Sequence, residues 1–235
     1  MIRNAIGRRT LGALALLACG MTAAQAVAAT HRTTAGGTPL VGTFKLTAGK
    51  CGASGATGSY FRMIYPGGTL ASGKFFQNPD SSCSDKSFTP VLPGAAGGLR
   101  TGAYQSSATA AFDAKGNAKV NKIIAPTGFS AIKFGLATLA KDPKTGQAAP
   151  VPSISVANGK LSGQVEALWA EWNHLYLNQG SPKPGGGKPG LTKAVSGTYN
   201  STTHAFTLTW ASAISGGPFN GFTGYWHLAG TFTPR

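Results

Sequence analysis

Six carboxylates are all that this 235-residue chain has for acid–base chemistry: Asp80, Asp85, Asp113, Asp142, Glu166 and Glu171. Glu166 and Glu171 stand five apart, on opposite faces of a strand or about 140° apart around a helix. Neither geometry aims both at one glycosidic bond across the roughly 5–9 Å that such a reaction needs. Asn78-Pro79-Asp80-Ser81-Ser82 offers oxygens at alternate positions, as a calcium loop does, but the bidentate acid is missing from its place. Turns capped by their own Asn and Asp side chains explain the stretch more simply. His31, His174, His204 and His227 include no i,i+4 pair and no HExxH frame, so a zinc helix is absent. Ser54 in Gly52-Ala53-Ser54-Gly55-Ala56 misses the G-x-S-x-G register, and no helix follows it to cradle a phosphate. A chain beginning at His31 would offer copper an amine and an imidazole, but it requires a cut after Thr30, a poor signal-cleavage residue. No catalytic residue, metal ligand or cofactor is assigned from the sequence.

Aromatic residues form the remaining constellation, in Phe219-Asn220-Gly221-Phe222-Thr223-Gly224-Tyr225-Trp226. Tyr225 and His227 alternate with Trp226, Leu228 and Phe232, which places them on the opposite, solvent-facing side of a strand. A tight turn at Asn220-Gly221 would push Phe222 outward as well. A flat aromatic beside a hydrogen-bonding ring suits a sugar or another amphipathic ligand, so Phe222, Tyr225 and His227 are the expected ligand contacts. The competing reading is that Trp226 and one Phe close the end of the core, with His174 and His227 capping its rim beside Trp172 and Trp226.

The formal net charge is +15, yet only 11% of residues are charged. The cations are mostly lysines scattered over turns and polar strand faces, without the clustered Arg, Lys and stacking aromatics of a nucleic-acid groove. Nucleic acid is not an expected partner; a glycan or an anionic envelope polymer is.

These residues need a scaffold, and the composition restricts it. Gly 34 and Pro 14 make up about a fifth of the chain, against an average near 12%, which disfavours a helix bundle. Hydrophobic residues at 42% suffice for a core. The expectation is a single all-β antiparallel domain, barrel or sandwich, over residues 38–235. Period-two alternation marks strands at Gly42–Thr47, Phe129–Leu139, Phe206–Trp210 and Tyr225–Phe232, and aromatic and β-favouring residues mark another at Ser59–Tyr65, ending at a Pro66-Gly67-Gly68 turn. Asn158-Gly159 between Val156 and Leu161 predicts a hairpin, and Asp113 to Asn117 predicts another connection of that kind. Residues 164–177 carry both a helical and a strand pattern; continuation from the hairpin favours one long strand. Residues 180–190 read as a flexible Gly/Pro/Lys loop. Leu40-Val41-Gly42-Thr43-Phe44 echoes Leu228-Ala229-Gly230-Thr231-Phe232. Either two strands solve the same packing problem, or first and last strands lie side by side and remove sheet edges.

The N-terminus reads as an address. Arg3, Arg8 and Arg9, the apolar run Leu11–Ala18 and small residues with cut sites after Ala26 or Ala29 make residues 1–29 a signal peptide, followed by a flexible start at 30–37. The run is too short to span a membrane, so no transmembrane helix is expected in the mature chain. Arg8-Arg9 also admits the twin-arginine route. Leu16-Leu17-Ala18-Cys19 resembles a bacterial lipobox, in which Cys19 would be lipidated and the protein anchored. Either fate of Cys19 leaves Cys51 and Cys83 to pair in an oxidising compartment. The expected protein is therefore an exported, non-catalytic binding or envelope protein, secreted or periplasmic. An exported enzyme acting on a polysaccharide and a lipid-anchored structural protein are the alternatives.

Overall fold

The computed structural model describes residues 37–235 with the exception of Ser54. Residues 1–29, read above as a signal peptide, with Cys19, and residues 30–36 with His31 lie outside the described residues, as does Ser54. From the N-terminus, β1 (Thr38–Leu40) and β2 (Gly42–Leu46) are separated by Val41 alone, and β3 (Lys50–Gly52) and β4 (Gly55–Thr57) form a small hairpin. Next come β5 (Tyr60–Thr69), β6 (Gly73–Phe75), β7 (Thr89–Pro90), β8 (Gly98–Arg100), β9 (Thr127–Phe129) and β10 (Ile132–Thr138). They are followed by β11 (Ser153–Ala157), β12 (Lys160–Gln164), β13 (Leu168–Trp172) and β14 (Leu175–Asn178). A 3-10 turn at Pro184–Gly186 precedes β15 (Lys193–Tyr199), β16 (Ala205–Ala213) and β17 (Thr223–Pro234). The fold is all-β, and its strand pairs are antiparallel.

The large sheet runs β1-β11-β12-β15-β16-β17-β2-β8, with β5 also on β17. One edge of β17 pairs along β16 from Thr223 to Thr231; its other edge is shared by β5, up to His227, and β2, from Gly230 onward. At the changeover the buried Ser59 hydroxyl donates to the Ala229 carbonyl and accepts from the Ala229 N–H, both at 3.1 Å. Because β1 pairs β11, β2 pairs β17, and only Val41 lies between β1 and β2, the hydrogen-bonded path returns to its start and the sheet curls back on itself. Thr101 clamps the joint: its hydroxyl donates to the Leu40 carbonyl (2.6 Å) and accepts from the Gly42 N–H (3.1 Å). The echo between the chain ends thus marks neighbouring strands. Phe44 is paired with Phe232, their ring centroids 4.9 Å apart, and Phe206 meets Phe44 edge-on at the same distance. Each ring buried there contributes about 1.5–3 kcal/mol.

A second sheet, β14-β13-β10-β9, packs its Phe134, Leu136, Leu168, Ala170 and Trp172 into the same core. All five residues of β13 are buried. Residues 164–177 are therefore neither helix nor one long strand. Asn173 (φ 47°) and His174 (φ 58°) fold the segment into a β13–β14 hairpin, the left-handed pair that a type I′ turn requires. Two further turns differ from expectation. Ser130 and Ala131 (φ 50° and 67°) break residues 129–139 into β9 and β10, and β5 continues through Pro66-Gly67-Gly68 to Thr69 with an irregular register against β6. Tertiary pairing fixes the left-handed turns at Ser130-Ala131 and Asn173-His174 without glycine, so the usual glycine signal is missing there. The Asn158-Gly159 hairpin forms as expected, with Val156 opposite Leu161.

The 180–190 segment is not uniformly loose. Ser181 is fully buried and its hydroxyl donates to the Lys193 carbonyl (2.6 Å), whereas Gly185–Gly190 are exposed. Cys51 and Cys83 are disulfide-bonded, their Cα atoms 5.1 Å apart, which ties the β3–β4 hairpin to the loop before β7. Among the described residues no helix is long and apolar enough to cross a membrane.

Candidate ligand-binding face

Strand register, rather than sequence proximity, assembles the most distinctive surface. Ser162 of β12 lies opposite Ser196 of β15, Ser196 opposite Thr209 of β16, Thr209 opposite His227 of β17, and His227 opposite Tyr60 of β5. Directly opposed residues share a face. Their neighbours Leu161, Val195, Leu208, Trp210, Trp226, Leu228 and Phe61 are buried, so the five-residue row is on the outside. It crosses five adjacent strands, about 19 Å at the usual strand spacing. Three hydroxyls occupy one end and two stacked rings the other, with His227 and Tyr60 centroids 4.7 Å apart and 14° from parallel.

Arg62 and Tyr225, the next opposed pair, extend the ring end. The Arg62 guanidinium is sandwiched, 3.3 Å from the Phe75 ring centroid and 4.0 Å from that of Phe88. Its Nη2 donates to the Ser87 hydroxyl (2.7 Å), while its buried Nε has no hydrogen-bond partner. Phe88 also meets Tyr60 edge-on at 5.2 Å. The disulfide-tied hairpin holds Phe88 in place. At Gly55 (φ 118°) a Cβ would fall 2.6 Å from the Phe88 ring, so only glycine lets the hairpin approach so closely. Burial pushes the Tyr60 and Tyr225 hydroxyls above their ordinary range and lowers His227, favouring the neutral form of each.

Of the three contacts expected from sequence, Tyr225 and His227 are neighbours here and half-buried. Phe222 is not with them. It packs against the core beside Tyr65 (4.9 Å) and Phe219 (5.7 Å) instead of being pushed outward by its turn. Trp226 and Phe219 do close the core. Sequence reasoning missed Tyr60, Arg62 and the hydroxyl row. The usable signal was Tyr60-Phe61-Arg62-Met63, which alternates outward and inward as Tyr225-Trp226-His227-Leu228 does.

Other chemistry-bearing residues are dispersed. Asn78 and Asp85 cap turns at the N–H groups of Asp80 and Ser87. His204 bonds Tyr199 (2.6 Å), and His174 sits on its turn near Phe112. Glu171 is buried; Ser107 donates to one oxygen, the other has no partner, and burial raises its pKa. Among the described residues no three His, Cys, Asp or Glu are placed to hold a metal ion. An apolar cavity of about 30 Å³ lies between the sheets, bordered by Phe61, Trp172, Trp226 and Gln179. A surface groove runs past Tyr65, Pro66, Leu191 and Asn220.

Lys183 anchors the ordered part of its loop. Its amine donates to the Asn178 carbonyl (2.7 Å) and side chain (3.2 Å) and to the Ser212 hydroxyl (2.5 Å). Burial lowers its pKa to about 7, with Asp142 opposing the shift. Between that value and the ordinary 10.5 the unfolded chain binds the additional proton, so stability rises with pH across this interval. Thermal unfolding should gain on the order of 1–2 kcal/mol from pH 7 to 9. Lys183→Met should flatten the rise, and an equal rise in that variant would contradict the assignment.

Comparison of the chain with protein-family models, with curated proteins and with solved structures finds no match.

Proposed function

We propose that this is an exported, non-catalytic binding protein that lays a glycan of the cell envelope across the Ser162–Ser196–Thr209–His227–Tyr60 row. The register carries the reading: one continuous row of outward groups crosses five strands of a hydrogen-bonded sheet, so its members are held in place by the backbone. Stacked rings offer an apolar face to a sugar ring, and the hydroxyls supply donors and acceptors for its hydroxyl groups. A rigid array of this kind orders few side chains on binding, which reduces the entropic cost of holding a flexible polymer. The signal-peptide pattern of residues 1–29 and the Cys51–Cys83 bond support export, because disulfides persist in oxidising compartments.

Isothermal titration of neutral and acidic oligosaccharides tests this. The stacking contribution should persist across a salt series, since contact between neutral rings is not screened. Tyr60→Ala/Tyr225→Ala should weaken binding about tenfold or more. Both positions are half-buried on the outer face, and far-ultraviolet circular dichroism checks that the fold is kept. Unchanged affinity in the double variant, or no binding of any glycan, would overturn the proposal.

A further inference from the structure

We infer that the glycan held on this face is acidic, and that Arg62 takes the carboxylate of a uronic acid edge-on; the inference rests on the glycan-binding reading. Phe75 and Phe88 cover both faces of the guanidinium, so only its edge remains for a ligand. Of the five N–H donors on that edge the Nε–H is buried, Nη2 gives one to Ser87, and Nη1 with the second Nη2 hydrogen has no partner among the described residues. Asp85 lies close enough to act on Arg62 electrostatically, yet its Oδ1 accepts from the Ser87 N–H, and among the described residues no carboxylate hydrogen-bonds the guanidinium. A planar fork fixed on both faces and short of acceptors matches the two oxygens of a carboxylate, which take parallel N–H···O bonds.

Position selects the ligand class further. Arg62 lies directly across from Tyr225 and two residues along β5 from Tyr60, so the cation adjoins the stacked rings. A uronic acid carries its carboxylate on the sugar ring itself, so one residue of the polymer can stack on a ring and reach the fork together. The net charge of +15, or +12 without Arg3, Arg8 and Arg9 of the signal segment, adds a long-range attraction for an acidic polymer.

Oligogalacturonate and its fully methyl-esterified form share the same rings and differ in the carboxylate alone, which makes them the probes. With the purified protein at physiological salt, the acid should bind about tenfold tighter than the ester, as charge-assisted hydrogen bonds require. Arg62→Lys keeps the charge and loses the fork, and should lose most of that preference while still binding the ester. Equal affinity for acid and ester would overturn the inference and leave glycan binding standing. So would full retention of the preference in Arg62→Lys, or equally tight binding of a sulfated dextran of matched length, which presents charge without a carboxylate. Failure of both galacturonate forms to bind while a neutral glycan binds would overturn the inference alone, and failure of every glycan would overturn both readings. The acid–ester comparison needs no variant, so the test holds even where Arg62→Lys loosens the fold.

Discussion

Trp226→Ala should lower the unfolding free energy by about 3–5 kcal/mol, a large share of the total for a domain of this size. The indole is 1% exposed and packs against Phe61 (4.5 Å between centroids), Trp210 (6.0 Å, stacked) and Phe134 (6.1 Å). Truncation removes those contacts and joins the vacated volume to the cavity that Trp226 already borders. It also leaves the Gln179 side-chain oxygen, which accepts the indole N–H at 3.1 Å, without that donor in a buried site. Trp226→Phe restores most of the volume but not the N–H, so it should recover more than half of the loss. Urea titration followed by circular dichroism measures both. An alanine variant within 1 kcal/mol of the parent would show that the core is not organised around this side chain.

The second large effect concerns Cys51 and Cys83. Their separation of 32 residues corresponds to about 3–4 kcal/mol of lost denatured-state entropy on crosslinking. Cys51→Ala/Cys83→Ala, or reduction of the parent, should lower stability by that order. The bond has a further consequence at the binding face. It ties down the hairpin whose Gly55 abuts Phe88, and Phe88 is one of the two walls on Arg62. Ligand affinity should therefore fall in the disulfide-free protein under conditions where circular dichroism still reports a fully folded sheet. Unchanged affinity would separate the hairpin from the site.

Patterns that depend on period two were legible in the sequence. Phe44 and Leu46, then Phe206, Leu208 and Trp210, then Trp226, Leu228 and Phe232 all point inward as their alternation required. The Asn158-Gly159 turn was equally plain, because glycine at positive φ carries the left-handed backbone. The turns at Ser130-Ala131 and Asn173-His174 use the same backbone without glycine, and only the pairing of the flanking strands holds them there. The site was half legible for a related reason. Alternation places Tyr225 and His227 outward, but what lies beside them depends on which strand pairs β17, and Tyr60 and Arg62 precede it by more than 160 residues. Phe222 was misplaced because its turn was read in isolation, whereas Tyr65 and Phe219 hold its ring against the core.

The central claim is that a ligand lies along one register row of the outer face, and residue-resolved amide chemical shifts test it most directly. A titration of the isotopically labelled protein with oligogalacturonate should move the amides of Ser162, Ser196, Thr209, His227 and Tyr60, with Arg62 and Tyr225 at one end, and leave Tyr65, Leu191 and Gly221 unmoved. Shifts confined to the groove formed by those last three residues, or no shifts at saturating ligand, would contradict it.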